Sequence, residues 1–373
     1  MNLNQQHFYF FSFSSATKEM EGVGPNHQSK RKLHQESIPG IMFHPQQSIR
    51  GCNSGAEGTT WDNKPRGQVT KIRISHGDSI NSIKIQYESN STPSQHGGDG
   101  GSEFTTVDLG SSSLSEITGY YGFHQNNNQK QVVIRSLKFV FDDGREPETF
   151  GFTANEGEPF SFMLNGARIG GFHGRQSAPR IGPNVRENSF ISAIGIYVET
   201  LATTVPRGPN LREKNDDKFI KVGTQGAIED QCWDDGMPGK ARQIFICHGE
   251  YINFIQTAYE SNTDIELSPG HGGEGGNKFE VVDLHSASFS WIRVYSVHRQ
   301  NESKKQVIRS LKFGTNDGRE YGPFGNITKA GKHFIAINVL NGAKTGGFYG
   351  CLFKSPAPLR NLFVSAIGIY VES

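Results

Sequence analysis

Neither sign of charge dominates this sequence. Its 373 residues carry 38 Lys and Arg against 37 Asp and Glu, a formal net charge of +1. That balance removes the basic footprint of a nucleic-acid binder or of a protein drawn to an anionic membrane surface. Long apolar runs are missing as well. No stretch approaches the roughly 18–20 apolar residues that span a bilayer, and the mean hydropathy is −0.54. The one candidate leader, FYFFSF at residues 8–13, has no basic flank and is shorter than a secretory core of roughly 7–15 residues. The KRK at residues 30–32 is too short to direct nuclear import. No Ser-His-Asp pattern, phosphate-binding loop or dinucleotide fingerprint supports catalysis, so the sequence reads as a non-enzyme.

What is abundant is glycine and phenylalanine, 45 and 26 residues, in a chain only 34% hydrophobic. Low aliphatic content with much Gly and Phe suits thin β layers better than helix-on-sheet cores. The glycines recur in phrases. LNGARIGGFHG at residues 164–174 returns as LNGAKTGGFYG at residues 340–350, with three changes in eleven. Trp61 returns as Trp233, YESN at Tyr87 as YESN at Tyr259, HGGDGG at His96 as HGGEGG at His271, and SAIGIYVE at Ser192 as SAIGIYVE at Ser365. RSLKF at Arg135 and DGRE at Asp143 recur at Arg309 and Asp317. The near-constant register marks a tandem duplication whose small insertions lie in loops. It divides the chain into domain 1 at residues 49–199 and domain 2 at residues 219–373. A Pro- and charge-bearing linker at 200–218 joins them, and a Gln/Ser/Asn-rich extension at 1–48 without periodicity reads as disordered.

The four cysteines fail the repeat test. Cys52, Cys232, Cys247 and Cys351 align with Thr224, Thr60, Ser75 and Arg175. The expectation is therefore a fold without a disulfide staple and a reducing compartment, cytoplasmic or nucleocytoplasmic, in which the sequons at Asn90, Asn301 and Asn326 go unused.

Within each copy the hydrophobic period is two. KIRIS sets Ile72 and Ile74 on one face, and SIKIQYE does the same for Ile83, Ile85 and Tyr87. Turn clusters break the strands at short intervals and no capped helix appears, which predicts an all-β sandwich, barrel or prism of antiparallel strands. The glycine-rich phrases then read as turns and close approaches required by the fold, with a ligand-facing loop as the alternative. Asp142 with Asp143, and Asp234 with Asp235, read as turn or structural carboxylates, since strand neighbours point to opposite faces. His96 and His271 read as hydrogen-bonded turn histidines with no metal-ligand spacing around them. His173 becomes Tyr349, so no shared catalytic role falls there. Trp61 and Trp233 read as core residues more readily than as sugar platforms.

Taken in order, Trp-Asp, His-Gly-Gly-x-Gly-Gly, Ile-Arg-Ser-Leu-x-Phe, Gly-Phe-x-Gly and Ala-Ile-Gly-x-Tyr, each seen twice, resemble the jacalin-related plant lectins. The resemblance covers nearly everything except the tail and the linker. It implies two tandem β-prisms, each of three four-stranded sheets about a pseudo-threefold axis, and a mannose-type sugar site among the loops at one end. It implies glycans or glycoproteins as partners, with other proteins as the alternative, no cofactor and no metal, and it allows a homo-oligomer. Backbone amides donate to sugar hydroxyls, and a carboxylate accepts two O–H bonds at once. Carried over residue by residue, the first loop supplies Gly55 and Gly226. The second supplies backbone amides at Ser189 and Phe190, and at Leu362 and Phe363. The family's acid falls on Ser192 and Ser365, and its glycine on Asn188 and Asn361. With Ser in place of Asp, each site loses a charge-assisted bond of roughly 1.5–3 kcal/mol. The implied function is weak mannose- or glucose-type binding by two tethered sites. The alternative is a protein-interaction module built on decayed sugar sites.

Overall fold

The computed structural model describes residues 58–63, 67–89, 92–126, 129–152, 157–177, 189–199, 219–223, 231–261, 264–273, 275–298, 306–327, 333–339, 343–355 and 362–372, with short strands at 41–42, 181–182 and 185–186. The predicted extension and linker, apart from residues 41–42, lie outside the described residues. Every regular element described is a β-strand.

Domain 1 consists of three sheets. The first runs Ile41–Met42, Ile191–Glu199, Ile169–Gln176, Thr59–Asn63. The second is Glu158–Met163, Leu114–Asn126, Gln129–Phe141, Glu148–Gly151, and the third is Ser94–Gly97, Ile80–Tyr87, Val69–His76, Glu103–Asp108. Domain 2 repeats the plan. Phe219–Gly223, Leu362–Glu372, Thr345–Lys354 and Gln231–Asp234 form its first sheet, and Glu320–Gly325, Gln306–Thr315, Phe289–His298 and His333–Asn338 its second. Its third is Asp264–Leu267, Ile252–Ser261, Lys240–His248 and Lys278–Asp283, with His271–Gly272 beside Ile252–Ser261.

The period-two reading holds where it was sharpest. Ile72, Ile74, Ile83 and Ile85 are at most 1% exposed, and their repeats Ile244, Ile246 and Ile255 fill the core of domain 2. Leu, Ile and Phe from all three sheets of each domain meet in that domain's interior. Three sheets, each apolar on one face, can bury those faces only by closing on one another.

The repeated phrase has a structural purpose at its last glycine. A side chain at Gly174 would put its Cβ 2.2 Å from the Ala193 carbonyl oxygen and 2.7 Å from Cζ2 of Trp61. At Gly350 the same distances are 2.2 Å to the Ala366 oxygen and 2.7 Å to Cζ2 of Trp233. The glycine is the seat on which the indole rests, and any larger residue would lift it.

Two features depart from expectation. First, the domains are joined by more than a linker. Glu158–Met163 of domain 1 pairs in parallel with Lys278–Asp283 of domain 2, Ser161 opposite Lys278 and Phe162 opposite Phe279. One nine-stranded sheet therefore runs through both domains. Asn165 Nδ2 donates to the Val281 carbonyl at 2.6 Å, and Asn277 Nδ2 to the Pro159 carbonyl at 2.9 Å, clamping the joint at both ends. Phe245, Cys247, Phe254 and Phe279, on the outward face of domain 2's third sheet, belong to the same buried cluster as the core of domain 1.

Second, the cysteine expectation is overturned. Cys232 and Cys351 stand directly opposite each other on neighbouring strands and are disulfide-bonded. Comparing the copies position by position cannot reveal a bond whose two halves both arose in one copy. The cysteine part of the compartment argument goes with it.

Replacing Gly174 or Gly350 with alanine should cost about 1–3 kcal/mol by overpacking the indole seat. At Gly77, where an added Cβ would come no closer than 3.4 Å to Ser102 Oγ, alanine should change stability by less than about 0.5 kcal/mol. Urea unfolding of the three variants checks both expectations.

Candidate functional site

In both domains the Trp strand, the HGG turn and the segment leading into the last strand converge. Trp61 stacks on His96 with ring centroids 4.1 Å apart and planes 10° from parallel. Trp233 stacks on His271 at 3.8 Å and 8°. Each imidazole is held on its far side by the residue two places after the Trp. His96 Nε2 donates to Asn63 Oδ1 at 2.9 Å, and His271 Nε2 to Asp235 Oδ1 at 2.7 Å. Burial holds His96 down to about 4, so it is a neutral donor at physiological pH. Both histidines are thus hydrogen-bonded at the start of their glycine turns, as their sequence context predicts.

The stack fixes the turn that follows it. Gly97 donates its amide to Gln176 Oε1 at 2.7 Å, and Gly98 donates to the carbonyls of Asn81 and Ser189, each at 3.1 Å. A Cβ at Gly98 would lie 2.7 Å from the Ser189 nitrogen, and one at Gly273 would lie 2.7 Å from Leu362 Cβ. In each copy the second glycine of the turn is thus packed directly against the loop that was expected to face a sugar. These glycines position the site and spend their own amides in doing so.

The predicted site residues fall as follows. Ser189 is buried, and its hydroxyl donates to the Ser177 carbonyl. The Phe190 amide donates to Ser177 Oγ at 2.8 Å, while the Phe190 carbonyl accepts from the Ser177 amide at 2.8 Å. The ring of Phe190 lies 4.8 Å from that of His124. In domain 2, Leu362 and Phe363 continue the strand, paired with Lys354 and Phe353. Phe363 is buried in a small cluster with Phe353 and Val307, with the ring of Tyr251 5.6 Å away.

Ser192 and Ser365 occupy matching places. Each sits at a bulge, between Ala193 and Ile191 in one copy and between Ala366 and Val364 in the other. Both are drawn inward: Ser365 is 1% exposed, and Ser192 Oγ is buried without a hydrogen-bond partner. Gly55, Gly226, Asn188 and Asn361 lie outside the described residues.

Sequence reasoning missed Ser177, which takes the Phe190 amide, and Gln176, which pins the HGG turn. Both fall at the end of a strand that was read for its glycines. It placed the YESN tyrosine on an apolar strand face but missed what its hydroxyl bonds. Tyr259 donates its hydroxyl to Asp235 Oδ2 at 2.8 Å and accepts the Phe348 amide at 2.9 Å, tying the Trp-Asp-Asp segment to the core. The adjacent carboxylates do part company. Asp234 accepts from Tyr370 and Lys221, and Asp235 from His271 and Tyr259. Two acids with separate structural partners are not a glycosidase pair.

The sequence has known relatives. A jacalin-like lectin domain model fits the chain twice, over residues 51–197 and 222–370. The chain belongs to the jacalin-like lectin family and carries two β-prism domains. It is 30% identical over 256 residues to an agglutinin from Castanea crenata, covering 65% of this chain and 70% of the agglutinin. It is 26% identical over 309 residues to myrosinase-binding protein 1 of Arabidopsis thaliana, covering 80% of this chain and 60% of that protein. Among solved structures it is similar to a mannose-binding jacalin-related lectin from Ananas comosus, with 27% identity and a TM-score of 0.35, over 42% of this chain and 98% of that one. Family membership makes the chain a carbohydrate-binding protein and not an enzyme.

His173 offers a titration test. Burial pushes it down to about 4, only partly opposed by the Asp62 carboxylate. An imidazole whose folded pKa lies below its unfolded value of about 6.5 contributes stability that is complete above pH 6.5 and is lost as pH falls toward 4. The loss is on the order of 3 kcal/mol by pH 4. Domain 2 has Tyr349 at this place and so has no such titration there. Thermal melts between pH 7 and 4.5 should show a fall that the His173→Tyr variant makes shallower.

Proposed function

We propose that each domain binds a mannose- or glucose-type sugar weakly, at the loops beside the HGG turn, and that the two sites act together on multivalent glycans. The observation that carries this reading is the shared bulge. In both copies it brings a serine to the position where the resemblance expects an acid, beside a loop braced by the same Trp-His stack. Weakness follows from chemistry. A neutral hydroxyl, turned inward in both copies, replaces two charged carboxylate oxygens, which amounts to at least about 10- to 100-fold in affinity. The continuous sheet supports concerted use of both sites, because it fixes their separation where a flexible linker would let it vary.

Two observations favour the second reading, a protein-interaction module with decayed sugar sites: Ser365 and the Ser192 hydroxyl are buried, and a site amide is already engaged. The Phe190 amide is already bonded to Ser177, so domain 1 has one fewer donor for a sugar hydroxyl. Calorimetry with methyl α-mannoside separates the two. Ser192→Asp and Ser365→Asp together should tighten binding about 10- to 100-fold. No gain, with no binding by the parent chain on a glycan array, would leave the second reading standing.

A further inference from the structure

The strand contact that joins the two domains has a second copy of each of its halves, and both are vacant among the described residues. Inside the chain, Glu158–Met163 adds to Lys278–Asp283. The counterpart of the first strand is His333–Asn338, where Ile337 pairs with Ile292 as Phe162 pairs with Ile117. The counterpart of the second is Glu103–Asp108, where Phe104 pairs with Ser75 as Phe279 pairs with Cys247. Each counterpart is the outermost strand of its sheet, with no described strand on its outer side. Exposure follows occupancy. Phe279, at the joint, is 1% exposed, and Phe104, its equivalent, is 75% exposed. A bare phenylalanine on an unpaired edge is a template for strand addition.

We propose that Glu103–Asp108 and His333–Asn338 are complementary docking edges by which one copy of this chain adds head-to-tail to the next, repeating the internal joint between molecules. Transferring the observed register sets Glu103 opposite Ala336, Phe104 opposite Ile337 and Thr105 opposite Asn338. Because the contact joins two different surfaces, it leaves an open edge at each end of a pair and can continue into longer assemblies. It is also narrower than the internal joint. Phe245 and Val281 extend the buried apolar face behind Phe279, whereas Arg73 and Thr106 hold those places behind Phe104 and are exposed. Association is therefore reversible and dependent on concentration.

Sedimentation velocity of the full chain over a wide concentration range tests this. The weight-average mass should rise above the 41.2 kDa of one chain. Phe104→Asp blocks one edge, and Ala336→Glu blocks the other by setting a carboxylate opposite Glu103. Each variant alone should weaken association at least about tenfold, with an unchanged thermal melt showing that the fold is intact. The two variants mixed should form one-to-one pairs through their remaining good edges and go no further. A parent chain that stays at the mass of one copy overturns the proposal. So does a Phe104→Asp variant that associates as the parent does, or blocked variants that fail to pair with each other.

Discussion

An indole pressed between a glycine and an imidazole sets the geometry of the loop end in both domains. Trp61 lies on Gly174 and under His96, and Trp233 lies on Gly350 and under His271. The stack places the histidine, the histidine begins the HGG turn, and the turn packs against Ser189 or Leu362. Each link is a short-range contact with little slack, because aromatic stacking and backbone-to-backbone approach both fail with a displacement of an ångström or less. That explains why the duplicated chain keeps its glycine phrases while many residues between them differ. The glycines are seats and hinges for the site loops, and the ligand-facing surface is left to the residues they hold in place.

The two copies have since diverged in ways the frame tolerates. Asn63 and Asp235 both accept from the stacked histidine, so amide and carboxylate serve equally there. His173 and Tyr349 fill the same place beside the Tyr197 and Tyr370 rings. The outward face of the third sheet differs as well. Domain 2 carries Phe245, Cys247 and Phe254 where domain 1 carries Arg73, Ser75 and Ser82, while Phe279 and Phe104 are the same residue. An apolar outward face is stable only when something covers it. The joint with domain 1 runs along Lys278, Phe279 and Glu280, and the disulfide between Cys232 and Cys351 ties two strands of domain 2. Each domain gives one edge strand to the joint and leaves another open, Glu103–Asp108 in domain 1 and His333–Asn338 in domain 2.

The sequence was most legible where a pattern repeats along the chain. Alternation located Ile72, Ile74, Ile83 and Ile85 in the core, the duplication gave two domains, and the ordered motifs gave the family. It was least legible where a contact depends on strands brought together from far apart. Cys232 meets Cys351 through register, which no spacing encodes. Phe104 and Phe279 occupy equivalent positions in the repeat, yet one is exposed and the other buried, because only one edge is paired inside the chain. The Phe190 amide could be assigned to a sugar by resemblance, but Ser177, thirteen residues earlier, takes it through a side-chain bond that a motif does not record.

Amide hydrogen exchange at the HGG turns tests the central claim most directly. If the Trp-His-Gly stack fixes these turns, the amides of Gly97, Gly98 and Gly273, which donate to Gln176, to Asn81 and Ser189, and to Asn253, exchange about as slowly as those of the flanking strands. Exchange at the rate of an unstructured glycine loop would mean that the stack does not hold the turns, and the description of the loop end would be wrong.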